Sequence, residues 1–143
     1  MTGGTGAVVL HASCVAVQGR GLLITGPSGS GKSSLALRLM ALGAHLVADD
    51  RTEVHLHADH LVARCPDPLR GLIEARGVGL LRSYPIDSVA LTLVADLGQA
   101  EQDRLPPRRK ITILGREVDL VLQPQYDHFP EALWLYLRDG RYA

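Results

Sequence analysis

Residues 26–33 read Gly26-Pro27-Ser28-Gly29-Ser30-Gly31-Lys32-Ser33 and match the spacing G-x-x-x-x-G-K-[ST] in full. The glycines let the backbone curl until several N–H groups point at one anion. Lys32 has the reach to contact β- and γ-phosphates, and the Ser33 hydroxyl is a ligand type suited to Mg²⁺. Downstream, Asp49 and Asp50 stand as adjacent carboxylates at the end of an apolar run. A carboxylate beside a phosphate loop can bind Mg²⁺ or take the proton of an attacking hydroxyl.

A third group is Glu74-Ala75-Arg76-Gly77-Val78-Gly79. If extended there, Glu74 and Arg76 share a face, one able to complete a Mg²⁺ shell and the other to neutralise phosphate charge. The competing reading is an exposed ion pair, the commoner fate of such neighbours. His11 lies in an apolar stretch and Arg104 in Asp103-Arg104-Leu105. On residue type alone, His11 is a packed or edge histidine and Arg104 a charged loop residue; either gains a role only next to phosphate. His55 and His57 lack a third ligand at metal-site spacing and read as a solvated face.

The elements that must position these groups follow from pattern. Val8 to Val17 reads as a strand, and Leu22 to Thr25 as a second, joined by Gln18-Gly19-Arg20-Gly21 into an antiparallel hairpin. Lys32 to Leu42 has helical spacing and stops at Gly43. Ala44 to Ala48 is a buried strand leading into Asp49-Asp50. Thr52–His57 with Leu61–Arg64, and Lys110–Leu114 with Glu117–Gln123, read as hairpins. Cys65 to Pro85 reads as irregular, Val89 to Ala95 as a strand, Asp96 to Arg109 as mostly loop, and Pro130 to Arg138 as a terminal helix. A hairpin directly before the phosphate loop departs from doubly wound folds, where helices alternate with parallel strands.

With 143 residues, 46% hydrophobic and 21% charged, the chain suits a single domain spanning 1–143. Lys plus Arg and Asp plus Glu are both 15, so the formal net charge is zero. That disfavours broad capture of nucleic acid or anionic membrane and requires a local site for any anion. No basic leader or membrane-length apolar run is present, and two cysteines outside any Cys-x-x-Cys pair suit a reducing cytoplasm.

In this order the motifs resemble the catalytic domain of the HPr kinase/phosphorylase family. The matching residues are His11-Ala12-Ser13, Gly26 to Ser33, Leu46-Val47-Ala48-Asp49-Asp50-Arg51, Leu72 to Gly79, Asp103-Arg104-Leu105 and Lys110-Ile111-Thr112. The resemblance runs from about His11 to Gln123, in a short form without the family's separate N-terminal domain. It implies an α/β phosphate-loop fold with a mixed sheet and few helices, similar to the phosphoenolpyruvate carboxykinase nucleotide domain. It also implies ATP and Mg²⁺ as cofactors and phosphorylation of a serine on the phosphocarrier protein HPr. The reverse reaction in the family is phosphorolysis, with inorganic phosphate as acceptor and pyrophosphate as product. Carried onto this sequence, Asp50 would be the general base, His11, Lys32 and Arg104 would assist at the phosphates, and Ser33 and Glu74 would hold Mg²⁺. Homo-oligomerisation is a further expectation of the resemblance. A nucleotide-sensing module with little catalysis stays open as the alternative.

Overall fold

Along the strands before and after the phosphate loop, apolar side chains alternate between two buried faces, so this sheet must be covered on both. A computed structural model describes residues 6–66, 68 and 70–143. In chain order its elements are β1 (Ala7–Leu10), β2 (Ser13–Val17), β3 (Arg20–Thr25), α1 (Lys32–Ala41), β4 (His45–Ala48), β5 (Thr52–His57) and β6 (His60–Arg64). After these come β7 (Leu72–Ala75), β8 (Gly79–Arg82), β9 (Ser88–Ala100), β10 (Arg109–Ile113), β11 (Arg116–Gln123) and α2 (Phe129–Asp139). Nine strands form one mixed sheet, in the order β1-β5-β6-β9-β3-β2-β4, with the β10–β11 hairpin joined to β9. β7 and β8 pair separately.

One face is packed by the helices. Val15, Val17, Leu22, Ile24 and Leu93 meet Leu35 and Leu39 of α1 and Leu133 and Leu137 of α2. On the other face, Cys14, Ala16, Leu23 and Val94 meet Val54, Leu61, Ala63 and Val118. The sheet therefore closes its second face with its own strands, which explains why so few helices suffice. Burial pushes the Cys14 thiol strongly upward, away from the reactive thiolate. Among the described residues no helix is long and apolar enough to cross a membrane.

β9 is the axis of the sheet. It runs parallel to β3 on one side and to β11 on the other. Gly21 sits where β3 and β9 approach most closely: a Cβ there would lie 2.6 Å from Val89 Cγ1 and 2.9 Å from the Ala90 carbonyl oxygen. Backbone cannot yield cheaply, so Gly21→Ala should destabilise the chain by about 1–3 kcal/mol. Urea denaturation would read this as a lower midpoint at unchanged slope. An unchanged midpoint would show that the two strands can part.

Four expectations from pattern need correction. Val8 to Val17 is two strands rather than one, because the chain leaves one ladder at residues 11–12: β1 pairs with β5, while β2 pairs with β3 and β4. Cys65 to Pro85 contains the β7–β8 hairpin, in which Ile73 is buried in the core; residues 67 and 69 of that stretch, like residues 1–5, lie outside the described residues. β9 continues through Asp96 to Ala100, since its partners carry the ladder on: Asp96 pairs with Thr25 and Ala100 with Gln123. Polar side chains did not end the strand because its backbone still had partners. Finally, β3 starts at Arg20, inside the residues read as a turn. The hairpins β2–β3, β5–β6 and β10–β11 and both helices follow the pattern closely.

Past the end of β9, Arg109 donates two hydrogen bonds to Glu101, each 2.9 Å, and clasps β10 to β9. That pairing holds the Glu101 carboxyl below the usual carboxylate range, helped by the N–H groups of Gln102 and Asp103. A depressed folded-state pKa gives stability that is full above the unfolded pKa and lost as pH falls through the folded one. Glu101→Gln should therefore lower Tm at neutral pH, and its gap from the parent chain should close as acidification protonates the Glu101 carboxyl, below the usual carboxylate range. A gap that persisted in acid would assign the loss to something other than the charge pair.

Candidate functional site

The phosphate loop is shaped by its glycines: Gly26, Gly29 and Gly31 take φ values of 145°, 82° and 101°, which side-chain-bearing residues rarely adopt. Gly31 caps α1 without any side-chain hydrogen bond, so the first N–H groups of the helix are free to meet an anion. Lys32 is only 7% exposed, and its ammonium donates to the carbonyls of Gly26 (2.8 Å) and Pro27 (3.1 Å). The lysine is thus held across the mouth of the loop by carbonyls that a phosphate can replace.

Opposite the loop, two chain breaks face one another. The ladder pairs Leu10 with Thr52 and Cys14 with Ala48. Between these pairs, residues 11–12 and 49–51 carry no strand pairing, and His11 and Ser13, the first residue of β2, reach the two aspartates through their side chains. His11 Nε2 lies 2.6 Å from Asp50 Oδ1. Ser13 and Ser33 both donate to Asp49 Oδ1, at 2.8 and 2.7 Å, and the Glu74 N–H lies 3.3 Å from Asp49 Oδ2. Asp50 takes φ 69°, a left-handed conformation that Asp tolerates better than most residues. This turn sends the two adjacent carboxylates to different partners.

The groups open on a cavity of about 410 Å³ whose walls include His11, Lys32, Ser33, Asp50, Glu74 and Arg76. A neighbouring space is bounded by Ser33, Asp49, Asp50 and Glu74. Arg76 and Glu74 form an ion pair at 3.6 Å with side chains 84% and 62% exposed, so solvent screens it and both remain available to a ligand. Among the described residues no cluster of His, Cys, Asp or Glu makes a complete metal cage. Mg²⁺ does not require one, because it commonly keeps waters and takes substrate phosphates beside one or two carboxylates. The oxygen donors of Ser33, Asp49 and Glu74 suit such a hard cation. Asp50 and Glu74 share the wall of the larger cavity with Lys32 and Arg76, and Asp49 lies beside them, so an incoming polyphosphate would call for added positive charge.

Of the residues singled out from sequence, the structure brings together His11, Gly29, Gly31, Lys32, Ser33, Asp50 and Glu74, with Ser28 on the same wall; Gly26 and Pro27 touch the site through their carbonyls, and Ser30 faces the other side of the loop. Arg104 does not join them: it is exposed in the segment after β9 and forms no hydrogen bond or ion pair among the described residues. From sequence, Asp49 is paired with Asp50 as a candidate Mg²⁺ ligand or proton acceptor, and Ser13 has no role of its own. Asp49 gathers the loop hydroxyl, and Ser13 braces Asp49 from β2. Ser13 is signalled by its place in the matched His11-Ala12-Ser13 motif and by a hydroxyl in a fully buried strand, where it must find a partner.

A phosphate loop set on a mixed sheet, entered from an antiparallel hairpin and faced by a carboxylate pair, defines a phosphate-loop domain outside the doubly wound type. A family model described as the HPr Serine kinase C-terminal domain matches residues 5–108, and the chain belongs to that family. The HPr kinase/phosphorylase of Cupriavidus metallidurans is 37% identical over 126 residues, and that of Cupriavidus necator 47% over 126 residues; each alignment takes in 80% of this chain and 39% of the relative. The chain thus spans well under half the length of these curated relatives. The solved structure of the HPr(Ser) kinase/phosphatase from Coxiella burnetii superposes with a TM-score of 0.78 at 24% identity, covering 94% of this chain and 90% of that one. The mixed-sheet α/β fold expected from the sequence is the fold observed.

Proposed function

We propose that this chain is an ATP- and Mg²⁺-dependent serine kinase of the cytoplasm whose substrate is HPr or a related phosphocarrier. The observation that carries the proposal is the convergence of Lys32, the Ser33–Asp49 contact and the His11–Asp50 pair on one cavity. In the forward reaction a serine Oγ of the phosphocarrier attacks the γ-phosphorus. The Oγ–P bond forms, the bond from that phosphorus to the β–γ bridging oxygen breaks, ADP leaves, and the serine proton passes to Asp50. His11 orients the Asp50 carboxylate by donating Nε2–H. Lys32 and the loop N–H groups hold the β- and γ-phosphates while charge moves toward the leaving oxygen. Ser33, Asp49 and Glu74 would hold Mg²⁺, which when bound offsets phosphate charge. A contact from Arg104 to phosphate rests on its sequence motif alone. Run backwards with inorganic phosphate as acceptor, the same site would release HPr and pyrophosphate. Self-association is part of the same proposal and is read by sedimentation.

The deciding experiment is transfer of labelled γ-phosphate from Mg-ATP to purified HPr, with phosphoserine identified in the product. Label on serine that is removed on adding inorganic phosphate, with pyrophosphate appearing, would support both directions. Tight ATP binding without transfer would favour a nucleotide-sensing module instead.

A further inference from the structure

Ser13 opens β2 between Ala12 and Cys14, and all three residues are fully buried. An alanine would satisfy the packing there. A buried hydroxyl needs partners, and Ser13 finds two on the facing turn. Its Oγ donates to Asp49 Oδ1 at 2.8 Å and accepts the longer bond from the Asp50 backbone N–H at 3.4 Å. A hydroxyl has one proton, so giving it to the Asp49 carboxylate leaves a lone pair for the Asp50 N–H. One oxygen thus meets both aspartates, the first at its side chain and the second at its backbone.

The two aspartates differ in what else holds them. Asp49 has further contacts: Ser33 donates to the same oxygen at 2.7 Å, and the Glu74 N–H faces Oδ2 at 3.3 Å. Asp50 has fewer. Its side chain is 59% exposed, and among the described residues its carboxylate meets only His11, itself 53% exposed. Packing therefore does not aim this carboxylate. Its direction comes from the backbone at φ 69°, in a turn closed by the Arg51 N–H on the Asp49 carbonyl at 2.7 Å. A left-handed residue with a side chain persists only where its surroundings hold it. Ser13 supplies that hold from inside the sheet, through the Asp49 side chain and the Asp50 N–H together. Thr52 provides the contrast. It is also fully buried, and its hydroxyl donates to the Ala12 carbonyl at 2.8 Å, lacing the same two chain breaks without touching either aspartate.

We infer that Ser13 is a positioning residue for phosphoryl transfer. It fixes the turn that directs the Asp50 carboxylate at the acceptor hydroxyl, while itself touching neither phosphate nor acceptor. The inference rests on the kinase reading above.

The test measures labelled phosphate transfer to HPr at saturating ATP and Mg²⁺, so that any change in cation binding at Asp49 is not what the rate reads. Ser13→Ala should lower kcat about ten- to a hundredfold, the effect of a small misplacement of a reacting group, with KM for ATP within a few-fold of the parent. Thr52→Val loses a buried hydroxyl from the same gap and should keep kcat near the parent. In the Asp50→Asn background, Ser13→Ala should cost nothing more, because the group it positions is already gone. Circular dichroism and melting confirm that each variant is folded; if Ser13→Ala melts below the assay temperature, Ser13→Cys, with its weak donor, takes its place. A parent-like kcat in Ser13→Ala would overturn the positioning role. An equal loss in Thr52→Val, or a further loss on top of Asp50→Asn, would overturn it too, since the defect would then be general loosening. A parent chain that transfers no label would overturn the kinase reading itself, and the positioning role with it.

Discussion

Lys32→Ala should abolish measurable nucleotide binding, weakening ATP by at least about a hundredfold, while the chain stays folded. The first half of this expectation follows from placement. Lys32 is 7% exposed, and its ammonium sits within 2.8 and 3.1 Å of two loop carbonyls. A cation that is already desolvated gives up little hydration when phosphate arrives, and its bond to a charged oxygen is worth about 1.5–3 kcal/mol. Losing that bond, and leaving phosphate charge without its nearest cation, costs about 3 kcal/mol, which is about a hundredfold in affinity. The second half follows from the fold. Lys32 begins α1, and the helix is held to the sheet by Leu35, Ala36 and Leu39, none of which the substitution touches. Titration of ATP, with melting followed by circular dichroism, separates the outcomes. ATP affinity within a few-fold of the parent would mean that the loop does not hold the phosphates through Lys32.

How much of this was legible in advance depended on the range of the interactions involved. The loop was fully legible because its chemistry is local: glycines for positive φ, a lysine and a hydroxyl at fixed offsets, and a helix to follow. The hairpins were legible because each turn carries its own signal, as at Gly115-Arg116 and Ala58-Asp59. What the pattern could not supply was partnership across the sheet. Val8 to Val17 looks like one strand because nothing in its composition announces that β1 and β2 pair with different neighbours. The break at His11-Ala12 is set by the matching break at residues 49–51, and the two are brought opposite only by the β2–β4 and β1–β5 ladders. The extension of β9 to Ala100 has the same origin, since Thr25 and Gln123 supply partners from distant parts of the chain. For the same reason Asp49 and Asp50 were readable as a pair, but their division of labour was not. Which carboxylate meets Ser33 and which meets His11 depends on the positive φ of Asp50, a property of the folded turn.

That division of labour sets the second large effect. Asp50→Asn should lower phosphotransfer by about 10²–10⁴-fold, the range for removing a positioned general base. ATP affinity should hold or rise, because a negative charge is lost beside the phosphates. Asparagine keeps the shape of the side chain and can still accept from His11 Nε2 at Asp50's position, so a loss of rate would report the missing proton acceptor rather than a collapsed turn. Asp49→Asn should behave differently. Its carboxylate accepts from Ser13 and Ser33 at 2.8 and 2.7 Å, and the proposed cation site includes it. That variant should show its defect as a raised magnesium requirement, partly recovered at high Mg²⁺, whereas no magnesium concentration should rescue Asp50→Asn. His11→Ala should fall between the parent and Asp50→Asn, since it removes the group that orients the base and leaves the base itself. Rates measured against magnesium concentration for the three variants read all of this at once. If Asp50→Asn kept the parent rate, or if magnesium restored it, Asp50 would belong to the cation and the proton would have to leave by another route. The adjacent carboxylates would then have exchanged roles, and Asp49, the more firmly braced of the two, would be the base to test next.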